Sequence, residues 1–583
     1  VAEQIWQFSG VNAVTGGYSL PGLTSRALDK VIRTGILPPA QSAHWGDLQL
    51  RLKWRNAQHK GTREGVAADD LGSAGWGVIF PEPVDPAIVE ALDPLLLLRQ
   101  SQSGEFFQYY HGPEDGGGGY RLGESKSQFL ARNGVGPGPV SPERMPYYLL
   151  LVGGPEQIPF DFQYQLDIQY AVGRIHFDSP AEYAAYAASV VAQESSPAPA
   201  AGRPAAGTLY WAPANPDDEP TRQTLRNLME PLSARDAGRG ALGAMRPPLL
   251  RREATKANLL AALTAEPPQL LVTAGHGVAL PAGDPRQRRL QGALLGQEWP
   301  GPLVSANRPL TPDQYLAADD LGSTVNVSGL IAFCLACFGG GTPADDEFPE
   351  VRTGRRRQLA PAPFVAALPT QLLRRGALAV ISHVERAWNY SFSWPDAGPQ
   401  RAVFESALDA IQGGKPVGLA MEYFNERYAE IAAELNATLD EIRGRKKHEP
   451  AHLIQLWTAA NDARSYAVLG DPAVRLTRRV PSRSFEDAPA VVTSVPAPLA
   501  DDVTARPGRR TVRTWVGEPG GGERTVAAES QVLSDGSLET VVAPAFAENE
   551  PLLALHRALV ARALQAWARH DGSATTDDES AFL

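Results

Sequence analysis

Short, uninterrupted apolar runs recur along the chain at 147–152, 170–175, 208–211, 270–274, 330–335, 377–382 and 466–470. Between them, apolar positions return at helical spacing over 180–194, 220–232, 254–264, 364–375, 400–412 and 416–436. Apolar runs without polar alternation read as strands buried on both faces, and strands that alternate with helices build a parallel or mostly parallel sheet. The predicted fold class is therefore α/β, with helices covering both sides of the sheet.

The flanks follow a different pattern. Residues 1–143 read as an N-terminal regulatory or accessory region with mixed elements: a helix over 23–33, a strand at 77–80 ended by Pro81, and a helix opened by Asp85 and Pro86. Glycine-rich stretches at 115–119 and 134–139 read as loops; no Lys-Ser or Lys-Thr follows the first, so it is not a phosphate loop. The stretch 195–204 is rich in Pro, Ala and Ser and separates a first subdomain, 144–205, from a larger domain, 206–480. A linker over 481–508 leads to a small C-terminal module, 509–583, with strands at 511–516, 525–533 and 538–542. Asp535-Gly536 forms a hairpin turn there, a helix spans 551–569, and an acidic tail follows.

Composition narrows the functional classes. The 583 residues carry a net charge of −11, which argues against a general nucleic-acid binder. No apolar run approaches the roughly 18 residues a membrane-spanning helix needs. The start at Val1–Trp6 shows no signal-peptide pattern, and cytoplasmic residence is the expectation. The 2 cysteines sit three positions apart in one strand run, on opposite faces, so no disulfide is expected. No metal-ligand spacing occurs: His448 and His452 are four apart but flank Pro450, and they read as surface residues. No metal and no cofactor are expected.

Chemistry concentrates at two strand ends. The run from 270 ends in Gly275-His276-Gly277, and the run from 330 ends in Ala336-Cys337-Phe338 followed by Gly339-Gly340-Gly341. In open α/β sheets reactive side chains gather beyond the carboxyl ends of the strands, a placement that brings His276 beside Cys337. A thiol needs a neighbouring base or another activating group to become a good nucleophile. The glycines around His276 give a substrate backbone room to approach, and the Gly277 N–H is a candidate donor into the site. Cys334 reads as a buried structural thiol. The pair therefore points to a cysteine-nucleophile enzyme, most simply a protease.

These motifs resemble the caspase-like superfamily of cysteine proteases, which includes caspases, metacaspases, legumains, separases and gingipains. The gingipain-like branch and bacterial caspase-like domains are the most similar. Residues 147–154 with Ile158-Pro159, and then 170–175 with its Gly173-Arg174, resemble that branch's first subdomain. Leu469-Gly470-Asp471-Pro472 and the following residues to Leu476 resemble the end of its catalytic domain. The resemblance spans about 145–477 and leaves both flanks uncovered. It implies an endopeptidase in which Cys337 attacks the scissile carbonyl, the N–H groups of Gly277 and Cys337 hold the oxyanion, and His276 protonates the leaving amine.

The resemblance also implies a charged or polar residue before the scissile bond, and a basic one is the leaning here. Pocket candidates are Asp178 and Glu182 after the Gly-Arg motif, and Asp345, Asp346 and Glu347 beyond the cysteine. The metacaspase aspartate two positions before the nucleophile is replaced by Leu335. His383, Trp388 and Trp394 fall where related enzymes place aromatic groups of the substrate cleft. The polar loop 339–358 is a lid candidate, and Arg355-Arg356-Arg357 within it is a candidate self-cleavage site. An Ala-, Arg-, Gly- and Pro-rich, Lys-poor composition suggests a bacterial source. By analogy a regulated protease of a defence system follows, with a protein substrate and an activating protein or protease as partner. The competing readings are a catalytically silent caspase-fold scaffold or sensor, and another cysteine amidase or acyltransferase. The latter is weakened by the missing Gly-x-Cys-x-Gly elbow.

Overall fold

The computed structural model describes most of residues 61–476, the strand pair Ile5–Trp6 with Leu23–Thr24, and the strands of the segment 493–582. Two compact units divide the chain. The first comprises Val1–Lys60 with Phe424–Arg464, and the second Gly61–Tyr423 with Ser465–Leu583.

The second unit is built on a 10-stranded sheet. Its strands are β1 (Trp76–Ile79), β2 (Phe107–Tyr110), β3 (Tyr148–Val152), β4 (Ala171–Ile175), β5 (Thr208–Ala212), β6 (Leu249–Leu250), β7 (Leu270–Ala274) and β8 (Ile331–Leu335). After a separate hairpin of β9 (Asp345–Pro349) and β10 (Arg356–Gln358), the sheet is completed by β11 (Ala379–His383) and β12 (Tyr466–Gly470). The spatial order is β2-β1-β3-β4-β12-β11-β8-β7-β5-β6. Strands β2 to β12 in that order run parallel to one another, and so do β11 to β6. The two halves meet antiparallel where β11 pairs with β12, Ala379 opposite Gly470. The fold is thus α/β with a mostly parallel sheet, as the apolar runs predict, and the sheet draws two strands from 61–143.

Helices cover the sheet: α1 (Pro86–Ser103), α2 (Phe160–Asp167), α3 (Pro180–Ser195), α4 (Glu219–Thr224), α5 (Lys256–Ala265), α6 (Ala367–Arg374) and α7 (Ala402–Gln412). As predicted, Asp85 caps α1, its side chain accepting the Ala87 N–H at 2.9 Å. The helix read over 220–232 breaks after α4 into a π turn, Leu225–Met229, before continuing as Glu230–Arg239. The helix read from 364 starts only at Ala367, because Phe364–Val365 first pair as a strand with Gly341–Thr342.

Two motifs of the sequence have packing reasons. Gly173 faces the Gly470 carbonyl so closely that a Cβ would lie 2.2 Å from that oxygen. Asp471, directly after β12, accepts hydrogen bonds from Trp76 Nε1 at 3.0 Å, Arg99 Nε at 2.6 Å and the Ala473 N–H at 2.9 Å. Arg99 also forks onto Glu194 of α3 at 2.8 and 2.6 Å. Both Arg99 and Asp471 are fully buried, so each charge depends on the other. The Leu-Gly-Asp-Pro motif therefore ties β12 to β1, α1 and α3.

In the first unit, α8 (Glu422–Arg443) and α9 (Pro450–Arg464) are joined by His452 Nε2 and Glu434 at 3.7 Å. The second helix runs through a stretch read only as carrying surface histidines; His448 lies outside the described residues. Leu23 and Thr24 pair as a strand with Ile5–Trp6 where a helix was expected, and the rest of that helix lies outside the described residues. The C-terminal module forms a five-stranded sheet that includes Thr493–Val495, from the expected linker, and Asp578–Phe582, from the expected tail. The helix expected at 551–569 falls outside the described residues apart from Val560.

Candidate active site

The site is assembled by register. Strands β7 and β8 are parallel neighbours with Ala274 opposite Leu335, and the ladder ends with the Gly275 N–H donating to the Leu335 carbonyl at 3.1 Å. His276 and Cys337 each lie two positions beyond these paired residues, at the same end of the sheet. The next contact fixes their spacing: a Cβ on Gly277 would fall 1.9 Å from the Cys337 carbonyl oxygen and 3.1 Å from its nitrogen. Only glycine permits this approach. The Gly277 N–H donates to no backbone carbonyl among the described residues.

The cysteine sits in a tight turn. Phe338, next to it, takes a left-handed conformation with φ 59°, and the Gly339 N–H closes back on the Ala336 carbonyl at 3.1 Å. The segment after β11 clamps this turn from the side. The Phe338 N–H donates to the Glu385 carbonyl at 2.5 Å, and Cys337 Sγ donates to the Ala387 carbonyl at 3.7 Å. Between those two contacts stands Arg386, forked onto the Asp346 carboxylate of β9 at 2.7 and 2.5 Å. Cys334, by contrast, is wholly enclosed, and burial pushes its thiol up to about 11 despite a hydrogen bond with Thr273.

The imidazole has a partner that the sequence did not announce. His276 Nε2 lies 3.0 Å from Asp218 Oδ2, and its ring stands edge-on to Trp299 with centroids 5.7 Å apart. Asp218 caps α4, accepting the Thr221 N–H at 3.1 Å and the Thr221 hydroxyl at 2.6 Å. Burial works against the charged form of Asp218, but the hydrogen bonds from His276 and Thr221 outweigh it and hold the carboxyl below its ordinary range. An ionised carboxylate only accepts, so Nε2 carries the proton and Nδ1 is the basic nitrogen. The available signal was Asp218 before Glu219-Pro220, a helix-start pattern after an apolar strand. It marks a cap but does not reveal a partner 58 residues away.

The remaining candidates separate into two groups. Trp388 directly follows Ala387, and the 385–391 segment is tied to α4 by Asn389 Nδ2 donating to Gln223 at 2.8 Å. Asp345 is exposed on β9, whereas its neighbour Asp346 is buried against Arg386. Glu347 follows on the same strand. His383 ends β11 with its ring fully buried, edge-on to Tyr466 at 5.0 Å, so it is packed into the interior. Asp178 stands just before α3 and Glu182 in its first turn. Glu182 there accepts the Asp178 N–H at 2.9 Å and pairs at 2.8 Å with Arg374, which ends α6 just before β11. Backbone strands β9 and β10 occupy part of the stretch read as a loop, and Arg355 lies outside the described residues. Among the described residues no cluster of three His, Cys, Asp or Glu side chains is arranged to hold a metal, and no helix is long and apolar enough to cross a membrane.

No protein-family model matches the chain, and no curated protein is similar to it. Solved structures are similar at low identity. One described as a protease has 13% identity and a TM-score of 0.41, covering 81% of this chain and 92% of that one. The Arg-specific cysteine proteinase gingipain R has 14% identity and a TM-score of 0.39, covering 82% and 93%. A complex of the pro- and mature domains of RgpB from Porphyromonas gingivalis has 13% identity and a TM-score of 0.40, covering 81% and 94%. At these scores the likeness assigns no activity to the chain.

Proposed function

We propose that the chain is a cysteine endopeptidase of caspase-like and gingipain-like type, with Cys337 as nucleophile and His276 as acid and base. The observation that carries this reading is the contact of Gly277 with the Cys337 backbone, because it joins the two strand ends that bear the thiol and the imidazole. Cys337 Sγ attacks the peptide carbonyl, and the oxyanion is received by the N–H groups of Gly277 and Cys337, donors of a kind worth about 10²–10³-fold in rate. His276 Nδ1 takes the thiol proton as the sulfur attacks and delivers it to the departing amine as the C–N bond breaks. It then takes one from water, which attacks the thioester and releases the acid product and the thiol. Asp218 holds the imidazole in the tautomer that leaves Nδ1 basic.

A basic residue before the scissile bond is the preference proposed, supported by the carboxylates of Asp346 and Glu385 in the segments around the nucleophile. Arg386, in the same place, favours the second reading of an acidic residue. The wider setting proposed is a regulated bacterial protease in the cytoplasm, acting on a protein substrate and awaiting a protein activator. A silent scaffold is the reading that inactivity would favour.

The test is cleavage of fluorogenic peptides with Arg, Lys, Asp or Asn before the scissile bond, comparing wild type with Cys337→Ala. Cleavage that disappears in the variant supports the peptidase, and the preferred peptide decides between the two pocket charges. Equal cleavage by both proteins would reject Cys337 as nucleophile.

A further inference from the structure

Strand order fixes where the leaving half of a substrate lies. The cysteine follows β8, the imidazole follows its parallel neighbour β7, and the other neighbour of β7 is β5. A peptide whose scissile carbon meets Cys337 and whose scissile nitrogen meets His276 therefore continues toward the end of β5. The loop after β5, 213–218, carries Asp218 behind the imidazole and also anchors a second segment there. Asn215 Nδ2 donates to the carbonyls of Gly296 and Trp299, each at 3.0 Å, and the Ala214 N–H donates to Gln297 at 2.7 Å. Gly301, with φ 89°, packs on the Pro216 carbonyl too closely for any side chain.

The anchored segment presents apolar side chains to water. Trp299 is half-buried: it packs against the cluster of Val278, Leu295 and Tyr315, and its ring stands edge-on to His276 with centroids 5.7 Å apart. On the short helix that follows, Pro302–Ser305, Leu303 is 71% and Val304 49% exposed. They are the one adjacent pair among the exposed large hydrophobic side chains of the described residues. Apolar groups held rigidly in water beside a reactive group gain by burial under a ligand's apolar side chain.

We infer that Trp299, Leu303 and Val304 form the subsite for the first substrate residue on the leaving side of the scissile bond, and that they select an apolar side chain there. This rests on the reading of His276 and Cys337 as the catalytic pair. The residue that carries the leaving nitrogen passes the imidazole, and the indole is the ring packed on that imidazole. From Trp299 to Ser305 the chain bears no charged side chain, so an acidic or basic substrate residue would lose water there without gaining a partner. A glycine would leave Leu303 and Val304 uncovered.

The test uses internally quenched peptides that keep the best acyl-side sequence and carry Leu, Gly or Asp directly after the scissile bond. Wild type is expected to cleave the Leu peptide with a kcat/KM at least about 10-fold above the Gly peptide, and the Asp peptide no better than Gly. The double variant Leu303→Ser, Val304→Ser changes only exposed side chains and is expected to lower the Leu:Gly ratio by at least about threefold. Leu122→Ser removes a leucine that is 74% exposed and follows the Pro81–Tyr120 bridge toward the opposite edge of the sheet, and it is expected to leave the ratio unchanged. Equal cleavage of the Leu and Gly peptides by wild type would overturn the inference, as would a ratio that survives the double variant or falls equally in Leu122→Ser. If no peptide is cleaved, fluorescence anisotropy of the labelled peptides with Cys337→Ala decides. Tighter binding of the Leu peptide, lost on adding the two serines, supports the subsite; equal or undetectable binding overturns it. Failure of the peptidase reading looks different: cleavage that survives Cys337→Ala removes the nucleophile whatever the Leu:Gly ratio is.

Discussion

Gly277 and Cys337 touch backbone to backbone, with the α-carbon of the first directed at the carbonyl of the second. Two strand ends that bear the reactive side chains are thereby locked at one separation. A side chain at 277 would have to push them apart. Gly277→Ala is expected to lower kcat/KM by at least about 100-fold, the scale of a lost oxyanion donor. Peptide hydrolysis measured beside the thermal melt checks this; an active, stably folded variant would contradict it.

Asp218 selects which imidazole nitrogen is basic. Asp218→Asn keeps the size but offers an amide that can donate to Nε2 and so favour the other tautomer. The expected loss in kcat is about 10²–10⁴-fold with KM little changed. Steady-state kinetics at neutral pH, where the variant's fold is checked by circular dichroism, decides this.

Arg99 lies between the carboxylates of Glu194 and Asp471 in the interior. Removing it as Arg99→Met leaves two buried acids without their cation, at an expected cost of about 3–5 kcal/mol. Urea unfolding of wild type and variant measures this directly.

The same triad gives a pH signature. Burial raises the Glu194 carboxyl, but the Arg99 charge and the hydrogen bonds from Arg99 and Gln102 outweigh it and leave the carboxyl below its ordinary range. A depressed folded value means its contribution is complete above the unfolded value of about 4.3 and is lost as pH falls through the folded one. Wild-type stability attributable to this group is therefore expected to hold from pH 7 to 5 and decline below about 4. In Arg99→Met the unpaired acids have raised values, so stability is expected to increase as pH falls from 7 to 5. Identical pH slopes for the two proteins would contradict the assignment.

Cys334 offers a control within one strand. With its thiol pushed up to about 11 and wholly enclosed, it stays protonated and inaccessible in the folded protein. Brief iodoacetamide treatment at pH 7 is expected to add one label, at Cys337, and Cys334→Ala is expected to keep activity within about twofold. A label found at Cys334 before unfolding would count against this.

Much of this architecture was legible from the chain because it depends on local pattern. The apolar runs became buried strands, and Gly173 and Gly470 were visible as parts of motifs even though their mutual contact was not. Strand direction was not legible. A fully buried strand has no polar face to betray which way it runs, so the reversal between β11 and β12 was hidden. Asp218 escaped for a related reason: an aspartate before Glu-Pro has a complete local explanation as a helix cap, and its second partner lies far along the chain. Asp346 differs from Asp345 by one step of strand alternation, which no composition-based reading of an acidic loop resolves.

The antiparallel seam between β11 and β12 has a consequence for the order in which the protein is made. The strand that joins the two half-sheets is among the last of the sheet to leave the ribosome, after both His276 and Cys337 have long been synthesised. A nascent chain stopped short of Tyr466 holds a thiol and an imidazole on one half-sheet, with its seam edge bare and no strand to pair it with the other half. Translation itself thus acts as a timer, and the complete sheet exists only once the message has been read through this last strand.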